Sequence, residues 1–97
     1  MYLSQSRAQV MQIRMKLASS EKRDMRIAEY FGRMRSLGDA MVSTDNKMDD
    51  DDLAAYILAG LDADWNPLVT SMTTRGDEVS LSELYAHFLN FETRLDI

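Results

Sequence analysis

Apolar residues recur at intervals of three and four along most of this chain, and no segment alternates apolar with polar residues as a strand would. Residues 24–41 show the pattern most clearly. Spacings of three and four keep a stripe on one face of a helix, so this segment predicts an amphipathic helix at the centre of the fold. The stripe consists of Ile27, Tyr30, Phe31, Met34, Leu37 and Met41.

The same periodicity, interrupted by polar connections, predicts about five helices in total. Besides 24–41, the predicted helices are residues 3–19, 49–60, 62–74 and the closing stretch from Ser80 to Leu95. The connections are residues 19–24, 42–47 and 74–79. The sequence therefore predicts an all-α fold.

Several helix ends carry recognisable local signals. Asp24 stands before the central stripe, where its carboxylate is expected to accept the first free amides. Ser80 and Glu83 have the spacing of a capping box, and Pro67 suits the first turn of a helix. Gly60, followed by an apolar residue, predicts a left-handed helix C-cap.

The length of 97 residues, with 45% hydrophobic and 28% charged residues, is typical of one small globular domain covering residues 1–97. Stripes on successive segments are expected to face one another and form its core. The predicted core residues are Ile27, Tyr30, Phe31, Met34, Leu37, Leu53, Ile57, Leu58, Leu61, Leu84 and Phe88.

The first predicted helix has apolar residues on more than one side. Val10, Ile13 and Leu17 share one stripe, whereas Met11 and Met15 lie on a different side. A helix at the end of a domain covers one face against its own chain, so a second copy is the expected cover for the other. A symmetric homodimer is the commonest arrangement that provides it.

Charge and composition limit the partners. The net charge of −5 argues against strong nucleic-acid binding, and weak RNA contact is expected at Arg7, Arg14 and Lys16 on the first helix. No run of about 18 apolar residues predicts a membrane span, and no signal peptide is evident, so a cytoplasmic location is expected. The eight methionines suit either core filling or an adaptable contact surface.

Candidate chemistry is sparse. There is no cysteine, and His87 is the only histidine, with Glu83 as the nearest carboxylate along the helix. One histidine and one carboxylate do not make a metal site. The run Asp49–Asp52 lacks the calcium-loop pattern and is explained by the preference of helix first turns for negative charge. We therefore expect no enzyme activity, no cofactor and no bound metal.

Four blocks resemble the Gag polyprotein domain of plant copia-type LTR retrotransposons. The most specific are YILAGLDADWNPLV, within residues 50–72, and SLSELYAHFLNFE, within residues 80–95. The other two are SQSRAQVMQIRMKLAS (residues 4–19) and IAEYFGRMRSLGDAM (residues 27–41). Their order and spacing extend the resemblance over nearly the whole chain.

This resemblance implies an all-helical, capsid-forming protein related to retroviral capsid. Residues 16–37 are similar, more distantly, to the major homology region, although its initial glutamine and glycine are missing. On that alignment, residues 24–95 correspond to the four-helix C-terminal lobe, and 3–19 to a helix arriving from the other lobe. Such lobes commonly dimerise through their second helix, here residues 49–60, which makes Ala55 a further candidate contact.

Two functions remain open from the sequence. One is a structural protein that self-associates, as in the assembly of retrotransposon virus-like particles. The other is a domesticated Gag-derived module that binds a cellular protein or interferes with element assembly. The zinc knuckle that often follows this region in the family is missing here, so the resemblance assigns no RNA packaging to these residues.

Overall fold

The computed structural model describes residues 2–42, 44, 48–74 and 80–96, with side chains from residue 7 onward. In this part of the chain every regular element is helical, which confirms the prediction of an all-α fold with about five helices. The elements are α1 (Tyr2–Ser19), α2 (Ile27–Val42), α3 (Asp50–Ala59), a single 3-10 turn (Ala63–Trp65), α4 (Asn66–Thr73) and α5 (Leu81–Leu95). Residues 75–79 of the predicted connection 74–79 lie outside the described residues, as do residues 43 and 45–47 of the predicted connection 42–47.

Helix α2 is central, and α1, α3 and α5 all pack against it. These helices cover the apolar stripe of α2, in which Ile27, Tyr30 and Met34 are completely buried. Most of the predicted core is buried with them, whereas Leu37, Leu58 and Leu61 are partly buried and pack against its edge. The core also takes in Leu17, Met41, Trp65 and Leu68, which were not among the predicted core residues.

Trp65 enters the core because the 3-10 turn directs its ring toward α5. The ring centroid lies 5.9 Å from that of Phe88 and 5.1 Å from that of Phe91. The Lys22 ammonium lies 5.2 Å from the Trp65 ring centroid, in cation–π range. Trp65 therefore joins the α1–α2 connection to the last helix.

The local capping signals have mixed outcomes. Ser80 Oγ accepts a hydrogen bond from the Glu83 amide at 3.1 Å, and Pro67 lies in the first turn of α4, both as predicted. The prediction that Asp24 caps the central helix is wrong. That helix begins at Ile27, and its first amide donates to the Glu92 carboxylate of α5 at 2.7 Å.

Gly60 also differs from its prediction. Its φ is −90°, so it is not a left-handed cap. It is instead a point of close approach: an added Cβ would lie 2.5 Å from the Ser20 carbonyl oxygen and would overlap the Tyr30 hydroxyl. The Lys22 amide donates to the Gly60 carbonyl at 2.9 Å. The missing side chain thus lets the α1–α2 connection dock on the end of α3.

Candidate self-association surface

One face of α1 is used within its own chain. Leu17 is 1% exposed and belongs to the core, while Ile13 packs partly buried against it and Val10 is partly buried. The sequence does not decide which face of α1 a second copy covers, so these three residues are candidate contacts together with Met11, Met15 and Ala55. Because Leu17 is covered by its own chain, it leaves the set of candidate contact residues.

The opposite face of α1 is open. Met11 is 62% exposed and Met15 is 66% exposed. Ala8 and Ala18 are also exposed and continue the spacing of three and four residues. We call these four residues, Ala8, Met11, Met15 and Ala18, the outer face of α1. Their spacing places them on one side of the helix, away from Ile13 and Leu17.

A groove of about 370 Å³ lies between α1 and α3. It is lined by Arg14, Asp52, Ala55, Tyr56 and Ala59. Arg14 Nη1 donates to the Tyr56 hydroxyl oxygen at 3.4 Å across the groove. Met11 lies three residues before Arg14 and Ala18 four residues after it, so both adjoin the side of α1 that borders the groove. The candidates on α1 and Ala55 on α3 therefore belong to neighbouring parts of one surface.

The two helices of this surface carry opposite charge. Helix α1 has Arg7, Arg14 and Lys16 and no acidic residue, whereas the first turn of α3 has Asp50, Asp51 and Asp52 and no basic residue follows in that helix. Among the described residues, the ion pairs join Arg23 to Glu21 and Arg26 to Glu92 and Asp96. Within the described ranges, no ion pair involves the charged side chains of α1 or α3.

The acidic run has a structural role at the start of α3. Asp50, Asp51 and Asp52 occupy the first turn, where the helix dipole favours negative charge. Asp49 occupies the N-cap position with extended backbone but makes no side-chain cap hydrogen bond. No group of three metal-ligating side chains occurs in the described ranges, and His87 there is exposed.

One buried ionisable group is structural. Tyr30 is completely buried, and its hydroxyl donates to the Ile57 carbonyl at 2.8 Å. Burial, with a smaller contribution from the charge of Glu21, raises the pKa of Tyr30 to about 12. The neutral hydroxyl therefore ties α2 to α3.

The exposed methionines are recognisable from the sequence, whereas the groove is not. Tyr56 and Ala59 carry no signal of their own, since an alanine on a helix is expected in almost any environment. Tyr56 and Ala59 line the groove because of the way α1 crosses α3. That crossing depends on Leu17 packing in the core and on the close approach at Gly60. The available signal was the pair of small residues, Ala55 and Ala59, on the side of α3 away from the Leu53 and Ile57 stripe.

The described residues contain no helix long and apolar enough to cross a membrane. Comparison of the chain with protein-family models, with curated proteins and with solved structures found no match in any of the three.

Proposed function

We propose that this protein is a structural, self-associating protein of the Gag capsid type, one that assembles with copies of itself as in virus-like particles. The observation that carries the proposal is the exposure of Met11 and Met15 on a helix whose opposite face already packs on the core. The resemblance to the Gag domain of plant copia-type retrotransposons is the second support. The proposal assigns no catalytic residue and no cofactor, and it places the protein in the cytoplasm.

The expected strength of the contact follows from the size of the patch. Burying a methionine side chain contributes roughly 1.5–3 kcal/mol when it starts fully exposed, and these two start about two-thirds exposed. Association costs roughly 4–15 kcal/mol in lost translational and rotational freedom. We therefore expect a weak pairwise contact, with a dissociation constant of about 1 µM to 1 mM.

Sedimentation velocity over a concentration series tests the proposal. The wild-type chain is expected to change from monomer to dimer or larger species between about 1 µM and 1 mM. The double variant Met11→Glu, Met15→Glu should remain monomeric over the same range. A monomeric wild-type chain throughout would contradict the proposal.

The alternative is a domesticated interaction module that binds a cellular protein. Flexible, exposed methionines also suit a surface that adapts to a different partner. This function is favoured if the wild-type chain stays monomeric and a purified partner binds it with an affinity that Met11→Glu, Met15→Glu removes.

A further inference from the structure

We propose that two copies associate about a two-fold axis, with the outer face of α1 of one copy lying on α3 of the other and a methionine entering the α1–α3 groove. This inference rests on the proposed self-association and names its surface. Three features of the described residues support it: the groove, the size of the side chains around it, and the charges of the two helices.

The groove has the shape to accept a long, flexible side chain. Its α3 side presents Ala55 and Ala59, whose small side chains leave space beside Tyr56. Met11 and Met15 are the large exposed apolar side chains nearest to it along α1. Neither methionine lines the groove of its own chain. A second copy can supply one.

The charges decide which helix lies on which. Contact between the outer faces of two α1 helices brings together Arg7 and Arg14 of each copy, and contact between two α3 first turns brings together three aspartates of each. Both arrangements place like charges opposite each other, which is unfavourable. Contact of the outer face with α3 instead sets Arg7 and Arg14, which border that face, against Asp52 in the groove and Asp51 one turn before Ala55.

Two-fold symmetry uses this contact twice. In an isologous dimer, if residue i of one copy contacts residue j of the partner, then residue j of the first copy contacts residue i of the partner. Because Arg14 and Asp52 line the same groove, both halves of the contact lie on one face of each copy. The same face of each copy therefore supplies both α1–α3 contacts of the dimer.

A complementation experiment tests the pairing. One variant makes α1 acidic, with Arg7→Glu and Arg14→Glu, and the other makes α3 basic, with Asp51→Lys and Asp52→Lys. Each variant alone should show a dissociation constant for self-association raised at least about tenfold, because like charges then face each other. An equimolar mixture should regain association close to that of the wild type, since the reversed charges are again complementary. Sedimentation velocity with one variant fluorescently labelled measures this directly.

Two controls keep the outcomes distinct. Circular dichroism melts must show that each variant is folded, and single substitutions, Arg7→Glu and Asp51→Lys, replace any double variant that is not. Leu89→Glu on α5, at a side chain 40% exposed, should leave association unchanged.

Each other outcome overturns the inference in an identifiable way. An unaffected basic-α3 variant indicates contact between two α1 helices, and an unaffected acidic-α1 variant indicates contact between two α3 helices. Loss of association only with Leu89→Glu places the contact on α5. In these three cases self-association itself stands, whereas a monomeric wild-type chain removes the proposed function as well.

Discussion

Replacement of Gly60 by alanine should be among the most destabilising single-methyl additions in this chain. Its backbone, with φ −90° and ψ 1°, is accessible to alanine, so the effect comes from space rather than from backbone strain. The added Cβ would lie 2.5 Å from the Ser20 carbonyl oxygen, whereas ordinary contact begins at 3.4 Å. The Tyr30 hydroxyl also occupies that space and cannot move without weakening its hydrogen bond to Ile57.

The expected magnitude follows from these contacts. Overpacking a well-packed site costs about 1–3 kcal/mol. Displacing the Tyr30 hydroxyl leaves buried polar groups without partners, at about 1–3 kcal/mol. Alanine also lowers the conformational entropy of the unfolded chain, which stabilises the folded protein by about 0.4–1 kcal/mol. We therefore expect Gly60→Ala to lower the free energy of unfolding by roughly 2–5 kcal/mol, a large part of the roughly 5–15 kcal/mol typical of folded domains.

Gly32→Ala is the matched control. An added Cβ at Gly32 meets no atom within 4 Å, and the position lies inside α2. Alanine should therefore raise the free energy of unfolding by about 0.5–1 kcal/mol. Urea denaturation followed by Trp65 fluorescence and circular dichroism measures both variants. A Gly60→Ala protein within about 0.5 kcal/mol of wild type would refute the close-approach argument.

Three further predictions concern the core, the pH dependence and nucleic acid. Phe31→Ala, which removes ring contacts to α5, should cost roughly 3–5 kcal/mol in urea denaturation; a loss under about 1 kcal/mol would place Phe31 outside the core. Burial raises the pKa of Tyr30 from 10.0 to about 12, so above pH 10 the unfolded chain loses this proton before the folded protein does. The free energy of unfolding should therefore fall by roughly 2–3 kcal/mol as the pH rises from 10 to 12, and Tyr30→Phe should remove this dependence in pH-dependent urea denaturation. RNA should bind only weakly at about 150 mM salt, and submicromolar affinity that is lost on neutralising Arg7, Arg14 and Lys16 would contradict the charge argument.

The helices could be predicted from the sequence because their signals are local. The stripe of α2 and the Ser80 cap depend on residues within a few positions of one another. The cap of α2 could not be predicted, since Glu92 reaches Ile27 from 65 positions along the chain. Gly60 was assigned the wrong role for a related reason. A glycine at a helix end suggests backbone freedom, and only the packing of Ser20 and Tyr30 shows that space is the requirement.

The candidate surface was predictable in part. Met11 and Met15 stand out because their positions conflict with the stripe of Ile13 and Leu17. The stripe alone could not show that Leu17 packs in the core, since that depends on how the α1–α2 connection turns. The groove beside Ala55 depends on the crossing of two helices far apart in sequence, which periodicity does not specify.

In the proposed function, the outer face of α1 binds a second copy of the chain. NMR spectra of the protein with ¹³C-labelled methionine methyl groups, recorded at increasing protein concentration, test it most directly. We expect concentration-dependent shifts or broadening at Met11 and Met15 but none at the completely buried Met34 and Met41. Spectra that do not change with concentration, or that change while the Met11 and Met15 signals stay fixed, would contradict it.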